Sequence, residues 1–461
     1  MSLIIEHPDT WVTERHYVFQ VIFSELLGID WEAKANVNLC NAVILKKNGV
    51  EKELFFPDIL FNTDPKNWLK KDSLPSEPLK KIDVEFFDVD LSSDFNSIPI
   101  IYGVNEKGNF ECQIDIFGSC FFLLTRYEEA VSDIKDEHER FPASASLASR
   151  ENFIERPLVN EYVELLWSLL KKNCPTLRRK KHKYNFYISC DVDKPFDDAL
   201  WKWKYLLRRS FGDIVRRKSA SLFLNRVSDY YKAQKYGLVR DPYFTFDWMM
   251  NVCEENNIQN SFYFITDHSS KLDGTYLISE ERIRKLMRSI YDRGHILGLH
   301  GSYNSYNDLT QLKKEFFILK QTCDNLKIKQ SKWGGRQHVL RFDVKNTLDH
   351  WDAIGMDYDS TLGFADRVGF RTGCCHRHST YSLFRRIPMA LVERPLMAME
   401  VTLAAPRYMN MGYDKKMKEK IMSLSKTVKH YGGEFSLLWH NSNFTEVNSK
   451  QIFCDLVLEC K

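Results

Sequence analysis

The stretch Tyr184-Asn185-Phe186-Tyr187-Ile188-Ser189-Cys190-Asp191-Val192-Asp193 joins an apolar, strand-like run to two aspartates. Side chains of a strand alternate between its faces, so Asp191 and Asp193 point the same way at the strand's carboxyl end. α/β folds place their chemistry at this end. Two carboxylates on one face repel each other unless a metal ion lies between them or one serves as a base. The alternative is a surface loop with two solvated acids, and the rest of the chain decides between these interpretations.

From this stretch onward, strand-like and helix-like segments alternate over more than 250 residues. The predicted strands are Phe186–Cys190, Ser261–Thr266, Ile296–His300, Asp357–Thr361 and Glu434–His440, and the predicted helices are Ser279–Gly294, Asn307–Leu326, Asn346–Ile354 and Asp414–Tyr431. Helices are recognised by apolar residues at spacings of three and four, and strands by short apolar runs. The alternation favours parallel strands with covering helices, in a barrel or a doubly wound sheet.

The first part of the chain has a different pattern, with short apolar runs separated by polar, proline-bearing segments. This favours a mixed α+β domain. A predicted helix near Val159–Leu170 leads into a basic, proline-containing stretch at 171–183, which we interpret as a solvated linker rather than a nucleic-acid site. We therefore predict a mixed α+β domain of unknown role over 1–170, a basic linker over 171–183 and an α/β domain over 184–461.

The composition is that of a globular protein with nearly balanced charge. The 461 residues are 44% hydrophobic, enough for sizeable cores, and 65 Lys and Arg against 62 Asp and Glu leave a net charge of only +3. Such a balance does not favour a nucleic-acid partner for the whole molecule. The amino terminus resembles no signal peptide, no stretch is apolar enough to span a membrane, and eleven cysteines lack paired spacing. We expect a cytoplasmic protein.

Further polar residues fall at other predicted strand ends. His300 ends its strand and is a metal-ligand candidate, and Asn304 lies one helical turn beyond it. Either Arg336 or Arg341 could hold Asp191 ionised, since guanidinium is always charged and donates in a fork.

Two further residues complete the candidate set. Asp359 ends a short strand and could orient an imidazole. His440 ends the last apolar strand, where it could donate a proton near neutral pH.

These residues form five short motifs along the chain: Asp191 with Asp193, His300 with Asn304, Arg336 or Arg341, Asp359, and His440. In this order, the motifs resemble those of the polysaccharide deacetylases with the NodB-homology domain, carbohydrate esterase family 4. The resemblance covers roughly residues 184–461 and implies a distorted (β/α) barrel. It implies that Asp191 is the base and Asp193 a metal ligand. It also implies that His300 and Asn304 occupy the positions of the two metal histidines. Arg336 or Arg341 would tether the base, Asp359 would lie near the acid, and His440 would be the acid.

Asn304 is a departure from the family pattern, because an amide oxygen is a poorer ligand for zinc than imidazole. Three outcomes stay open: weaker zinc binding, preference for a harder divalent ion, or no metal. The resemblance implies hydrolysis of an N-acetyl or O-acetyl group on a saccharide. The metal would bind water, Asp191 would take its proton, and His440 would protonate the leaving group.

A cytoplasmic enzyme of this kind would act on nucleotide-linked or lipid-linked saccharides, as precursors of surface polysaccharide. The segment 201–218 mixes aromatic and basic residues as interfacial helices do, which is compatible with peripheral contact with the inner membrane. The favoured alternative is a helix packed over the barrel whose basic side chains reach solvent.

Two rival interpretations remain. The segment Cys374-Cys375-His376-Arg377-His378 is dense in soft ligands, but adjacent cysteines point apart on an extended chain, so a cleft-lining loop is favoured over a zinc site. A degenerate deacetylase fold that binds a glycan or a partner is favoured by Asn304 and opposed by the other four residues of the constellation: Asp191, Asp193, His300 and His440.

Overall fold

The computed structural model describes residues 2–47, 52–85, 87–92, 95–215 and 219–461. The chain divides into two compact units. Unit 1 comprises 1–185, 339–398 and 423–436, and unit 2 comprises 186–338, 399–422 and 437–461. Each unit therefore consists of segments that are distant in sequence.

Strands and helices alternate through most of the chain. The strands are β1 Leu3–Pro8, β2 Trp31–Asn36, β3 Ala42–Lys47, β4 Leu54–Pro57, β5 Lys80–Asp83, β6 Ser97–Ile100, β7 Asn185–Val192, β8 Asn260–Phe264, β9 Ile296–Gly301, β10 Gly334–Gln337, β11 Tyr358–Asp359, β12 His378–Ser382, β13 Ile387–Glu393, β14 Ala398–Met399 and β15 Glu434–Leu438. The α-helices are α1 Val12–Phe19, α2 Ile116–Leu124, α3 Tyr127–Val131, α4 Leu147–Arg150, α5 Leu158–Asn173, α6 Asp198–Trp201, α7 Trp203–Val215, α8 Ala220–Tyr236, α9 Phe246–Glu255, α10 Glu281–Asp292, α11 Leu309–Asn325, α12 Thr347–Ala353, α13 Glu400–Ala404, α14 Lys415–His430 and α15 Ser449–Glu459. A π-helix, Gln20–Leu27, continues α1. Among the described residues, no helix has the length and apolar character needed to cross a bilayer.

Unit 2 is built on parallel strands. β7 pairs with β8, β8 with β9 and β9 with β10, all in parallel. The amide of Trp439, just after β15, donates to the carbonyl of Ser189 at 2.9 Å, so the end of β15 lies beside β7. Because parallel strands present their carboxyl ends at one edge, residues that end these strands are brought together.

Amphipathic helices cover this sheet. In α10 the buried residues Ile283, Leu286, Met287 and Ile290 recur at spacings of three, one and three, which is one face of a helix. Burying each such side chain contributes about 1.5–3 kcal/mol relative to exposure. α11 begins after Asp308, whose carboxylate accepts the amide of Gln311 at 3.0 Å and so caps the helix.

Unit 1 contains a mixed four-stranded sheet in the order β2-β1-β3-β4 and an antiparallel β5–β6 pair. It also contains β11, β12 and β13, in which β11 pairs with β13 in parallel and β12 with β13 antiparallel. Its core includes α2, every residue of which is buried. Asp115 caps α2 by accepting the Gly118 amide at 2.8 Å, and its other oxygen accepts the amides of Ile59 and Leu60.

The predicted strands and helices of 184–461 are confirmed, with ends that differ by a few residues. The mixed α/β class is likewise confirmed, while closure into a barrel stays a prediction. The predicted domain 1–170 lies within unit 1, but this unit also takes in 339–398 and 423–436. The predicted linker 171–183 begins with the last turn of α5, and the boundary between units falls just after it, between Asn185 and Phe186.

Close packing of β9 and β10 generates a stability prediction. A Cβ on Gly335 would lie 1.8 Å from the carbonyl oxygen of Leu299, a backbone atom that cannot move without disturbing the sheet. We expect Gly335→Ala to lower the free energy of unfolding by about 1–3 kcal/mol, as overpacking does. Gly212 in α7 has open space around it, so Gly212→Ala should be neutral or slightly stabilising. Urea denaturation followed by circular dichroism measures both, and equal stability of the two variants would contradict the packing argument.

Candidate metal and catalytic site

Five polar side chains meet at the carboxyl edge of the parallel strands in unit 2. Asp191 and Asp193 belong to the end of β7, His300 to β9, and Arg336 and His338 to the end of β10. In the ladder His300 lies opposite Arg336, and the strand order brings β7 within reach through β8. Two of these strands contribute residues spaced two apart, so that each pair points to the same face.

Asp191 is held by Arg336. The Arg336 Nη1 donates to Asp191 Oδ1 at 2.8 Å and to the hydroxyl of Ser189 at 3.0 Å, and both charged side chains are buried. The Arg336 guanidinium also lies over the ring of Tyr263, 5.2 Å from its centroid. A charge-assisted hydrogen bond of this kind fixes the position of the carboxylate.

Asp193, His300 and His338 form a group that could hold a metal ion. One potential ligand atom from each lies within 4.8 Å of the others. His300 Nε2 is 3.2 Å and His338 Nε2 is 3.6 Å from Asp193 Oδ1. This oxygen is buried and accepts no hydrogen bond from the residues that the structure describes.

The contact of each histidine's Nδ1 decides whether its Nε2 presents a proton or a lone pair to Asp193. His300 Nδ1 lies 2.9 Å from the carbonyl oxygen of Arg336, and His338 Nδ1 lies 3.0 Å from Asp273 Oδ1. Both of these oxygens accept, so each Nδ1 carries the proton, and a neutral ring directs its Nε2 lone pair toward Asp193. Lone pairs that face a carboxylate require a proton or a cation between them.

The pKa shifts of His338 and Asp193 also show that positive charge is favoured in the site. Burial opposes a proton on His338, but the carboxylates of Asp193 and Asp273 raise its pKa to about 10. Burial likewise opposes the ionised form of Asp193, yet His338 and His300 lower the pKa of this carboxyl well below its usual range. The site therefore attracts positive charge.

The donor set fits a divalent transition metal. One carboxylate and two imidazoles are the ligands of many catalytic zinc sites, which keep a further position for water or substrate. The partners of both Nδ1 atoms supply the second layer of hydrogen bonds that orients such ligands. Asp193, His300 and His338 would hold the ion.

His440 lies at the same edge, after β15, and is held by Glu400. Its Nδ1 is 2.7 Å from Glu400 Oε1, which also accepts the His440 amide at 2.8 Å and the side-chain amide of Asn443 at 2.9 Å. Burial opposes a proton on His440, but Glu400 raises its pKa to about 9. Its Nε2 lies 3.7 Å from Asp193 Oδ2, so the imidazole faces the candidate metal site.

Three residues predicted for the site have other surroundings. Asn304 is exposed, and its side-chain amide donates to the carbonyl of Ser269 at 2.8 Å. Arg341, in unit 1, forms an ion pair with Glu139, whereas Arg336 contacts Asp191. Asp359, also in unit 1, accepts the amide and hydroxyl of Thr361 at 2.8 and 2.6 Å, and the carboxylate that holds His440 is Glu400.

Sequence reasoning missed His338, Glu400 and Asp273. The sequence pattern could have indicated His338, because it follows Arg336 by two residues at a strand end. Asp191 and Asp193 have the same spacing. Glu400 follows the two-residue strand β14 and carried no such pattern. Asp273 lies outside the helices and strands.

The cysteine and histidine cluster at 374–378 lies in unit 1. His376 Nδ1 contacts the side-chain amide of Asn160 at 2.9 Å, and burial lowers the pKa of His376 to about 3. Within the described part of the chain, the group of His, Cys, Asp and Glu able to hold a metal contains none of the cluster's residues.

Comparisons with known proteins give partial likenesses. Residues 3–175 match the profile of a family of unknown function, DUF7033. No curated protein matches the chain. Among solved structures, a candidate polysaccharide deacetylase from Mycobacterium smegmatis is similar with 14% identity, covering 61% of this chain and 85% of that one, with a TM-score of 0.40. A Puue allantoinase is similar with 11% identity, covering 60% of this chain and 84% of that one, with a TM-score of 0.38.

The ligand set generates a binding prediction. We expect the protein to bind one zinc ion, and we expect His338→Ala to weaken zinc binding at least about 100-fold, because even residues behind a ligand have effects of 10–100-fold. Asn304→Ala should bind zinc as the wild type does, because its amide is turned to Ser269. Elemental analysis and competition with a chromogenic chelator measure both. Unchanged binding by His338→Ala would remove it from the ligand set, and loss of zinc in Asn304→Ala would place Asn304 there.

Proposed function

We propose that this protein is a metal-dependent hydrolase that removes N-acetyl, or O-acetyl, groups from a saccharide. One observation carries the proposal. Three side chains that could bind a metal, a carboxylate held by arginine and an imidazole held by a carboxylate all converge on one strand edge. Hydrolysis of an amide needs an activated water, a base and an acid, and these groups supply each of them.

The base in this proposal is Asp191. Its Oδ1 is bound to Arg336, and its Oδ2 lies 3.8 Å from His300 Nε2, next to the metal ligands. A divalent ion bound there would lower the pKa of a water molecule and polarise the acetyl carbonyl. Asp191 is placed to take the proton of that water, while Arg336 keeps the carboxylate fixed.

The acid is His440. An amide nitrogen leaves only when it is protonated, and the His440 Nε2 lies 3.7 Å from Asp193 Oδ2, within reach of the site. Glu400 accepts from Nδ1 and so fixes the ring and stabilises its protonated form. Glu400 is a positioning residue, because its contacts are with His440 and Asn443.

The substrate class follows from the sequence resemblance rather than from this geometry. We propose a nucleotide-linked or lipid-linked saccharide that serves as a precursor of surface polysaccharide, and a cytoplasmic location. All eleven cysteines are free thiols, which fits a reducing compartment.

The test is acetate release. The purified protein, reconstituted with zinc, cobalt or magnesium, is incubated with N-acetylated and O-acetylated sugars, nucleotide sugars and short oligosaccharides, and free acetate is quantified. Metal-dependent release of acetate supports the proposal and identifies the ion. Stoichiometric metal without acetate from any of these substrates would reject the deacetylase, and absence of both would favour the glycan-binding or partner-binding alternative.

The role of Asp191 generates a kinetic prediction. Asp191→Asn keeps the shape of the side chain but removes the base, so we expect kcat to fall by roughly 10²–10⁴-fold. Bound metal should be retained, because the ligands are other residues. Asp247→Asn, at an exposed position on α9, is the matched control and should retain wild-type kcat. Wild-type turnover in Asp191→Asn would refute the assignment of the base.

A further inference from the structure

The helix α7 exposes an apolar stripe. Trp203, Leu207, Phe211 and Ile214 are 59%, 57%, 68% and 50% exposed, and they follow one another at spacings of four, four and three. This spacing places them on one face of the helix. Single exposed apolar residues are ordinary, but a complete helical face of large side chains in solvent marks a contact surface.

The two buried residues of α7 are polar. They are Ser210 and Asp213, and Asp213 accepts from Arg226 Nε of α8 at 2.7 Å. In the usual arrangement the large apolar residues of a helix are directed inward, whereas in α7 they are exposed. The ion pair of Asp213 with Arg226 links α7 to α8 within unit 2.

The neighbouring helix α8 and the turn after it also expose large apolar residues. Leu224 and Tyr231 are 63% and 68% exposed at a spacing of seven, which is two helical turns. Val239, in the turn that follows α8, is 84% exposed. We call α7, α8 and the turn that follows α8 the hairpin, over the described residues 202–215 and 219–240.

The hairpin is strongly basic. Its described residues contain eight Lys and Arg and two Asp, a net charge of +6 in a chain whose total is +3. Of the eight, Lys204, Arg208, Lys232, Lys235 and Arg240 are exposed.

We infer that the hairpin binds the surface of an anionic phospholipid bilayer. An interfacial helix needs large apolar side chains on one face, an aromatic residue near the headgroups and Lys or Arg beside them, and the hairpin has all three. A second copy of this chain would bring two surfaces of +6 together, which repel each other. Nucleic acid would use the positive charge but would leave the aliphatic stripe in water.

The base of the hairpin is attached beside the candidate metal site. Trp201 Nε1 donates to Asp241 Oδ2 at 2.5 Å, and Lys202 Nζ donates to the carbonyl of Thr275 at 2.8 Å. The residue before Thr275, Gly274, packs so closely against the carbonyl of Asp193 that a Cβ would lie 2.3 Å from it. Membrane binding would therefore hold the candidate metal site near the bilayer. If the proposed function holds, this position favours the lipid-linked class of saccharide over the nucleotide-linked class.

The experiment is vesicle flotation of the full-length protein. Vesicles of phosphatidylcholine alone are compared with vesicles in which about a third of the lipid is phosphatidylglycerol. We expect the wild type to float with the anionic vesicles, and we expect Leu207→Asp/Phe211→Asp to lose at least about 10-fold in bound fraction at equal lipid. The matched control, Leu277→Asp/Leu458→Asp, changes two leucines that are each 56% exposed elsewhere in unit 2, and it should float as the wild type does.

Several outcomes would overturn the inference. These are absence of wild-type flotation, equal flotation of the hairpin variant, or equal loss in the control variant. A wild-type dimer that the hairpin variant converts to a monomer, measured by light scattering, would assign the surface to a second copy. Acetate release from a water-soluble substrate should be unchanged in the hairpin variant, so failure of membrane binding and failure of the proposed function are separate results.

Discussion

The site depends on one interaction, the approach of two imidazoles to the buried oxygen of Asp193. His300 and His338 each have their Nδ1 committed to an acceptor, so each turns its Nε2 toward the same carboxylate oxygen. Without positive charge between them these atoms would repel, and a partly buried site cannot rely on water to screen that repulsion. A proton or a metal ion between them would relieve it, and the other residues of the site are arranged around the same point.

A repeated spacing produces this arrangement. On β7 and at the end of β10, polar residues two apart point to one face, and each pair consists of one residue of the candidate metal site and one residue of the neighbouring ion pair. Asp193 and His338 belong to the candidate metal site, whereas Asp191 and Arg336 form the ion pair. His338 thus supplies an imidazole to a site in which the sequence resemblance had left only the amide of Asn304.

Charge is distributed unevenly in unit 2. The strand edge that carries the candidate site keeps its charges buried and paired, as in the ion pair of Asp191 with Arg336 and the hydrogen bond of Glu400 with His440. The hairpin does the opposite and exposes both cations and apolar side chains. The first arrangement suits chemistry at fixed distances, and the second suits a soft, charged surface such as a bilayer.

The sequence by itself determined the alternation of strands and helices and the positions of Asp191, Asp193, His300 and His440 at strand ends. Periodicity is a local property, and parallel strands put their carboxyl ends together by rule. It did not decide between Arg336 and Arg341, because the choice depends on which arginine faces β7.

Only the tertiary structure decided the remaining partners. In the folded chain Asn304 donates to Ser269, and Asp359 accepts from Thr361. His338 and Glu400 lie at the site. These contacts join residues far apart in sequence, and strand register and loop conformation set them. Neither can be read from spacing along the chain, because a shift of one residue in a strand reverses the face to which each side chain points.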